Sequence, residues 1–245
     1  MRFAIVTTSF QPGSYILETI QSVIEQAGDF EIYYHVQDAG STDGTVEYLQ
    51  GMVQSLTDEY FPIQCQKLTF SYKSEADKGM YDGINRGFKH VLDDIDADVM
   101  LWINSDDKLA PNALLNIKRY FDNNPTKDWI IGRTVHLDEQ GNITINLAPY
   151  KYEINNLKNG RHDGNDLPYV TQEATVWRRS LWDKVGKLDD SLDYAGDYEY
   201  WKRLASFNYQ LESVDIEVGY HRKREGQLSS IGCYSDEVRL VKLRD

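Results

Sequence analysis

The chain has 245 residues, with 39 acidic side chains against 26 basic ones and a formal net charge of −13. This balance excludes a general nucleic-acid binder, because such proteins need a broad basic face to neutralise phosphates. The length is sufficient for one α/β domain with a large buried core, and we expect a single domain over residues 1–245.

Cysteine usage and hydropathy bear on the cellular compartment. Cys65 and Cys233 are too few for a disulfide framework and lack the spacing of metal ligands, which favours a reducing cytoplasm. The first residues form an apolar strand rather than a signal-peptide core, and no stretch approaches the roughly 18 apolar residues of a membrane span. We therefore expect a soluble, cytoplasmic protein.

The first half of the chain alternates predicted strands with predicted helices. Apolar runs rich in β-branched residues indicate strands, and a 3.6-residue apolar period indicates helices. We predict strands at residues 3–8, 30–38, 63–72 and 97–104, and helices at 14–26, 46–56, 81–94 and 110–124. The alternation predicts a parallel sheet covered by helices on both faces, with ligands at the carboxyl ends of its strands.

The second half has a less regular pattern. Residues 129–146 predict a hairpin that turns at "DEQG", and residues 150–169 are polar, aromatic and predicted to be a surface loop. Further on, we predict a strand at 173–179 and helices at 180–186 and 197–207. Because no linker or repeat separates the halves, we expect residues 125–245 to extend the same domain.

Two adjacent carboxylates, Asp106 and Asp107, follow the fourth predicted strand and precede a helix opened by Pro111. Adjacent carboxylates repel each other unless a positive partner lies close. Mg²⁺ or Mn²⁺ suits this position, since these ions take oxygen ligands and complete their shells with water and diphosphate oxygens. The alternative is that both aspartates only cap the following turn.

Six segments, in this order and spacing, resemble glycosyltransferase family 2, whose members are inverting, nucleotide-sugar-dependent enzymes with the GT-A fold. They are "IVTTSFQP", "QDAGSTDGT", "SEADKGMYDGINRGF", "WINSDD", "QEATVWRRSLWDKVGKLDDSLDYAGDYEYWKRL" and "REGQLS". The resemblance covers nearly the whole chain and implies a Rossmann-like α/β domain with a mostly parallel central sheet. It also implies a nucleotide-sugar-binding half at 1–124 and an acceptor and catalytic-base half, with a basic tail, at 125–245.

The resemblance places the nucleotide at the ends of the first two strands. By it, Thr7, Ser9 and Asp38 hold the nucleotide, and the Asp38 carboxylate is able to accept the imide N–H of uracil or thymine. The alternative for this turn is an ordinary helix cap, with Thr42 or Asp43 capping the second helix.

The third segment has a form that is common among enzymes building bacterial surface polysaccharides. The resemblance implies that Asp77 lies near the ribose or the donor sugar. Lys78 and Arg86 supply cations for phosphate. The alternative for Arg86 is a solvated helix face.

In "NSDD", Asn104 stands at the first acidic position of the family's D-x-D triplet. The resemblance therefore implies that Asp106 binds metal and ribose, with Asp107 as a second or water-mediated metal ligand. Loss of the first carboxylate predicts a modest metal affinity.

The resemblance also implies a catalytic base. A sugar hydroxyl needs its proton removed as it attacks, and in the family the base is the aspartate of an E-D pair at a helix start. Asp197 occupies that position, while Gly196 replaces the glutamate. The alternative for Asp197 is a helix N-cap.

Three further residues are candidates for the acceptor side. Gln172 and Glu173 are expected to line it, and Trp177 offers a face on which a sugar ring stacks. The alternative for Trp177 is a place in the core.

The segment "HRKREGQLS" concentrates His221, Arg222, Lys223 and Arg224 in an otherwise acidic chain. Relatives often carry R-x-H-x-x-Q-S here, so Arg224 replaces the histidine. We expect a flexible segment that closes over the donor diphosphate or faces an anionic lipid carrier. The alternative is a solvated run of charge.

Together these features predict an inverting transferase that moves a sugar from a UDP-sugar to a hydroxyl of a glycan or lipid-linked glycan, using Mg²⁺ or Mn²⁺. We expect it to act in surface polysaccharide synthesis, with possible peripheral contact at the inner face of the cytoplasmic membrane. Two alternatives are a sugar-1-phosphate nucleotidyltransferase and a non-catalytic glycan-binding protein. A nucleotidyltransferase or dehydrogenase needs a Gly-rich loop after the first strand, which "TTSFQPGSY" does not provide.

Overall fold

The computed structural model describes residues 1–225, 227 and 233–244. Its strands are β1 (Arg2–Ser9), β2 (Gly28–Asp38), β3 (Cys65–Ser74), β4 (Val99–Trp102), β5 (Lys108–Leu109), β6 (Trp129–Ile131), β7 (Thr134–Leu137), β8 (Ile143–Leu147), β9 (Thr175–Arg178), β10 (Glu212–Ser213) and β11 (Gly219–Arg222). Its α-helices are α1 (Tyr15–Ile24), α2 (Thr45–Thr57), α3 (Met80–Asp94), α4 (Ala113–Asn123), α5 (Ile154–Lys158), α6 (Arg179–Val185), α7 (Gly196–Ser206) and α8 (Cys233–Lys242).

The larger sheet has seven strands in the order β10-β6-β9-β4-β1-β2-β3. Strand β1 pairs in parallel with both β2 and β4, β2 pairs in parallel with β3, and β9 runs antiparallel between β4 and β6. The predicted α/β fold with a mostly parallel central sheet is confirmed, and every predicted element of the first half lies within three residues of its observed bounds.

The central strands are buried on both faces, which explains their nearly continuous apolar runs. One apolar cluster joins β1 and β2 to helices α1 and α4, and the other joins the opposite face to helices α3, α6 and α7. Because β1, β2 and β4 run parallel, their carboxyl ends meet at one edge of this buried sheet.

A second sheet, in the order β5-β11-β7-β8, lies beside that edge and was not predicted. The predicted turn at 138–141 is confirmed between β7 and β8, but the prediction of one hairpin over 129–146 is wrong, because Trp129–Ile131 belongs to the large sheet as β6. The chain changes sheets at Gly132, where an added Cβ would lie 2.5 Å from the Ile216 carbonyl oxygen. Only glycine allows so close an approach.

The prediction of a surface loop over residues 150–169 is also wrong. The segment contains α5, it buries Tyr152, Leu157 and His162, and the Tyr152 hydroxyl donates to the Tyr169 carbonyl oxygen at 2.6 Å. Its polar composition conceals an apolar side that packs on the second cluster. Among the described residues, no helix combines the length and the apolar character needed to cross a bilayer.

Candidate active site

Two adjoining cavities open at the carboxyl edge of the large sheet. The larger has a volume of about 740 Å³ and is lined by the ends of β1 and β4 and by the loop before α3, whereas the smaller has about 280 Å³. Both fall near the range of small-molecule sites, roughly 300–1,000 Å³. Five residues line both cavities, namely Gln172, Glu173, Asp197, His221 and Tyr234.

At the end of β1, Thr8 and Ser9 line the larger cavity, but Thr7 does not. The Thr7 side chain is fully buried, and its hydroxyl lies 2.9 Å from the Tyr34 hydroxyl. Successive side chains alternate across a strand, so the threonine next in sequence takes the exposed position. The structure therefore places Thr8, and not the predicted Thr7, at the cavity.

Asp38 is fully buried and does not line the cavity, although its neighbour Ala39 does. One carboxylate oxygen accepts the N–H groups of Gly40 and Ser41 and the Ser74 hydroxyl, at 3.0, 2.8 and 2.6 Å, and the other accepts the Ser41 hydroxyl at 2.6 Å. These donors hold the turn after β2, so the structure does not offer the Asp38 carboxylate to a base. Asp38 thus has a structural role in this turn, and its contact with a base stays a prediction.

The helix following this turn begins differently from the predicted cap. The N-cap of α2 is Gly44, with φ at 94°, while Asp43 accepts the N–H and the hydroxyl of Thr45 at 3.2 and 2.7 Å. Glycine readily adopts this left-handed conformation. Asp43 therefore supports the first turn from a position before the cap.

In the segment before α3, Asp77 lines the larger cavity, where burial raises the pKa of its carboxyl. Lys78 is exposed and lies outside the lining; a hydrogen bond from Lys187 lowers the pKa of the half-buried Asp190, and the charge of Lys78 acts in the same direction. Arg86 forms ion pairs with Asp82 at 2.8 Å and Glu75 at 3.3 Å. The two predicted phosphate cations are thus directed elsewhere, and Arg86 braces the loop that presents Asp77.

Asp106 and Asp107, adjacent in sequence, point into different surroundings. One Asp106 oxygen accepts from the Arg224 Nε at 2.7 Å and from the Gln227 amide at 3.3 Å. Asp107 is fully buried and accepts the Arg222 N–H at 2.7 Å and the Asn104 amide at 3.1 Å. The positive partner of Asp106 is therefore a guanidinium supplied by the predicted basic segment.

Asp107 instead joins Glu173 and His221 in a compact cluster. The His221 Nδ1 lies 3.3 Å from a Glu173 oxygen and 3.5 Å from an Asp107 oxygen. Burial acts to lower the pKa of His221, but the charges of the two carboxylates outweigh it and raise that pKa. Burial and the Glu173 charge raise the pKa of Asp107. A proton on the imidazole thus holds two carboxylates together.

The same cluster fits a divalent cation. One ligand atom from each of its three residues lies within 4.8 Å of the others. The Asn104 Oδ1 and the His221 Nδ1 are buried beside it without a hydrogen bond to any described residue, and buried polar atoms are rarely left so. Carboxylate oxygens with one imidazole suit Mn²⁺ better than Mg²⁺, which prefers oxygen ligands alone. The structure thus offers Asp107, Glu173 and His221 as a second candidate set of ligands beside the predicted pair of Asp106 and Asp107.

The charge of the larger cavity also favours a bound cation. Six carboxylate residues line it, against two cationic ones, His221 and Arg224; the six are Asp77, Asp106, Asp107, Glu173, Asp193 and Asp197. A diphosphate entering this space meets strong repulsion unless a cation accompanies it.

Arg222, predicted to move over the diphosphate, is fully buried in β11. Its guanidinium donates to the carbonyl oxygens of Asp106 and Glu139 at 2.9 and 3.0 Å, and to a Glu18 carboxylate oxygen at 2.9 Å. The expectation is therefore corrected: Arg222 is a fixed structural residue that ties the two sheets together. Residues 226 and 228–229 of the predicted basic tail lie outside the described residues.

We predict that Arg222→Lys lowers the free energy of unfolding by about 2 kcal/mol, because one ammonium cannot replace the fork of donors and a buried carbonyl loses its partner. Urea unfolding followed by tryptophan fluorescence measures this change, with exposed Arg119→Lys as the matched control. Equal midpoints for Arg222→Lys and the parent protein would show that these contacts add nothing.

Trp177, predicted to stack on an acceptor, is fully buried in β9 and touches Trp102, Trp201 and Phe88. This expectation is wrong, because the side chain is buried on the face of the sheet that is covered by α3, α6 and α7. Gln172 and Glu173, just before β9, do reach the cavities, and the Gln172 amide donates to the Trp102 carbonyl oxygen at 2.7 Å.

Asp197 lies in the first turn of α7, on the wall shared by the two cavities. One oxygen accepts the Tyr198 N–H at 2.8 Å and the Tyr81 hydroxyl at 3.3 Å. Burial raises the pKa of this carboxyl to about 6, and the charge of Glu173 acts in the same direction. The N-cap of α7 is Ala195, so the alternative of Asp197 as N-cap is not observed.

Helix α8, which was not predicted, fixes the loop ahead of Asp197. The Glu237 carboxylate accepts three consecutive N–H groups, those of Asp193, Tyr194 and Ala195, at 2.8, 2.7 and 2.8 Å. Charge-assisted bonds of this kind are the stronger ones. The loop therefore enters α7 in a set geometry.

Gly196, which replaces the family's glutamate, packs on Tyr81. A Cβ added at Gly196 would lie 2.7 Å from the Tyr81 ring, which has no room to move because Tyr81 is buried. A glutamate therefore does not fit beside this tyrosine. Tyr81 and Gly196 form a matched pair that leaves Asp197 as the carboxylate facing the cavities from this turn.

Residues 4–186 match the family described as Glycosyl transferase family 2. The chain is 22% identical over 229 residues to an uncharacterized glycosyltransferase of Methanocaldococcus jannaschii, covering 93% of this chain and 73% of that protein. It is 26% identical over 208 residues to an uncharacterized glycosyltransferase of Mycobacterium tuberculosis, covering 82% of this chain and 68% of that one.

Solved structures share the fold at low sequence identity. TarS residues 1–349 of S. aureus, in complex with UDP-GlcNAc, match with a TM-score of 0.67 and 17% identity, covering 98% of this chain and 65% of that one. The mannosyltransferase PcManGT of Pyrobaculum calidifontis, in complex with GDP-Man and Mn²⁺, matches with a TM-score of 0.66 and 15% identity, covering 100% of this chain and 64% of that one. This chain thus spans less than two thirds of either solved chain. The family match over most of the sequence and the GT-A-like fold together show that the chain belongs to glycosyltransferase family 2.

Proposed function

We propose that the chain transfers a sugar from a UDP-sugar to a hydroxyl of a glycan or lipid-linked glycan in surface polysaccharide synthesis, with inversion at the anomeric carbon. The observation that carries this proposal is the position of Asp197 between the two cavities. A donor in the larger cavity and an acceptor in the smaller one place both reactants beside one carboxylate.

The reaction is a single displacement. Asp197 accepts the proton of the acceptor hydroxyl while that oxygen bonds to the anomeric carbon and the diphosphate leaves with the electron pair of the broken bond. The Tyr81 hydroxyl and the Tyr198 N–H orient the base. Asp107, Glu173 and His221 would hold a divalent cation, which would stabilise the negative charge of the leaving diphosphate.

The solved relatives differ in the nucleotide that they bind, UDP-GlcNAc in one and GDP-Man in the other. Thermal melting with UDP, GDP, ADP and TDP, each with Mn²⁺, tests which nucleotide this chain binds. Ligand at a hundred times its dissociation constant stabilises the folded state by ~2.7 kcal/mol. We expect the largest rise in Tm with UDP, followed by UDP release from the matching UDP-sugar. A chain that no nucleoside diphosphate stabilises would contradict the proposal.

The raised pKa of Asp197 predicts the pH dependence. Above pH 6 the carboxyl is ionised and able to accept a proton, and below it the protonated form accumulates. We expect kcat/KM for transfer to fall about tenfold per pH unit on the acid side. A rate profile from pH 4.5 to 8 measures it, with UDP affinity at each pH as the control. A rate that stays flat through pH 5 while UDP remains bound would exclude Asp197 as the base.

A further inference from the structure

The smaller cavity contains an unusual set of buried polar atoms. Three side-chain nitrogens on residues that line it have no hydrogen bond to any described residue: His136 Nδ1, His162 Nε2 and Trp201 Nε1. Native proteins leave few buried polar groups unpaired, because each unpaired group destabilises the folded state. Their concentration around one cavity indicates a polar ligand that supplies the missing partners.

His162 shows which kind of partner is missing. Its Nδ1 lies 2.8 Å from the Pro168 carbonyl oxygen, which only accepts, so Nδ1 carries the proton. Burial lowers the pKa of this imidazole, so the ring is neutral near pH 7. Its Nε2 then has a lone pair and no hydrogen, and it needs a donor. A hydroxyl group provides one, whereas a carboxylate or a phosphate dianion does not.

The position of His162 is well defined by its neighbours. The residue is 3% exposed, and its ring packs on Tyr152 and Tyr150 with centroids 4.7 and 5.7 Å apart. The Asp163 carboxylate next to it pairs with Lys242 of α8 at 2.6 Å. The ring is therefore fixed before any ligand arrives.

The remaining walls suit a saccharide. Tyr169, Tyr198 and Tyr234 line the cavity with aromatic side chains, and Trp201 adds an indole whose N–H is without a hydrogen bond to a described residue. Sugar hydroxyls both donate and accept, so one ring is able to satisfy the His162 lone pair and the Trp201 donor together.

We infer that the smaller cavity binds one sugar ring of the acceptor and that His162 Nε2 accepts a hydrogen bond from a hydroxyl of that ring. This inference rests on the proposed function, because it identifies the acceptor side of the same site. His162 then acts in acceptor recognition, at a distance from the proton transfer at Asp197.

Saturation-transfer NMR with four methyl glycosides tests the inference. The probes are methyl glucoside, galactoside, mannoside and N-acetylglucosaminide, each added to the protein with UDP and diamagnetic Mg²⁺. We expect at least one to bind the parent protein. His162→Phe keeps the ring shape without a nitrogen lone pair, and should weaken that glycoside about tenfold or more, as expected for one lost buried hydrogen bond.

Two further variants separate recognition from folding. His162→Gln places an amide oxygen near the Nε2 position and should recover part of the affinity. His90→Phe makes the same chemical change at an exposed histidine of α3 and should bind as the parent does. UDP affinity should be equal in all four proteins.

The inference is overturned if His162→Phe binds the glycoside as tightly as the parent does, or if none of the four probes binds the parent while UDP binds normally. It is also overturned if His162→Phe weakens the glycoside and UDP equally, since the residue then supports the fold. If UDP does not bind the parent protein, the proposed function itself fails. Because UDP affinity is measured separately from glycoside binding, that result is distinguished from a failure of the inference about His162.

Discussion

Asp197→Asn is expected to lower sugar transfer by roughly 10²- to 10⁴-fold while leaving the affinity for UDP unchanged. The amide has the shape of the carboxyl and retains an oxygen for the Tyr198 N–H, so folding should survive. It has no basic site near neutral pH, so the acceptor proton has no destination. The measurement is the initial rate of transfer from the UDP-sugar that the nucleotide screen identifies.

The matched control is Asp183→Asn, the same change at an exposed carboxylate that pairs with Arg179 on α6. It should transfer at the parent rate. If Asp197 served only to support the first turn of α7, asparagine would replace it with little loss, because asparagine is equally favoured at helix starts. Near-normal turnover by Asp197→Asn would refute the assignment, and Glu173 would be the next candidate.

Glu173→Gln is expected to remove most of the metal dependence of UDP binding. In the parent protein we expect Mn²⁺ to raise UDP affinity relative to EDTA, because the larger cavity is rich in carboxylates. Loss of even an outer-shell partner of a metal ligand typically costs 10- to 100-fold in metal affinity, and glutamine at position 173 also removes one of the two charges beside His221. Calorimetric titration of UDP with Mn²⁺ and with EDTA measures the difference.

Asp106→Asn is the informative comparison, since the resemblance to the family makes Asp106 the first choice of ligand and the structure pairs it with Arg224. We expect this variant to keep more of the metal dependence than Glu173→Gln does. Equal UDP affinity with and without metal in the parent would exclude the cation. Loss of metal dependence in Asp106→Asn alone would restore the pair predicted from the sequence.

The fold of the first half was predicted well from the sequence, because the apolar patterns of its strands and helices are local. Apolar periodicity between residues 3 and 124 predicts strands and helices whose order permits few topologies. The second sheet was missed because two of its strands, β5 and β11, have only two and four residues. Strands this short are stabilised by pairing with segments far away in the sequence, and the local apolar pattern does not predict them.

The candidate site was predictable where the family motif names a position and not where side-chain direction decides the role. Asp197, Glu173 and Asp77 do lie at the cavities. Thr7 and Thr8 differ only in which face of β1 they occupy, and the alternation of a strand would have separated them had its register been known. The role of Trp177 likewise depends on which face of β9 it occupies, and it lies on the face covered by α3, α6 and α7.

Other parts of the site carry no sequence signal. His162 lies within a polar segment, and its importance arises from the Pro168 carbonyl and from burial by Tyr152. Glu237 is one of many surface-type glutamates until α8 packs and brings it to three N–H groups of another loop. Both roles come from tertiary contacts between segments far apart in the chain.

The measurement that tests the central claim most directly is the anomeric configuration of the first product formed from an α-linked UDP-sugar. Proton NMR of the isolated product, recorded after Mn²⁺ has been removed, reads that configuration from the anomeric coupling. A single displacement opposite the leaving diphosphate predicts a β-configured product and its loss in Asp197→Asn. An α-configured first product would contradict a one-step reaction with Asp197 as base.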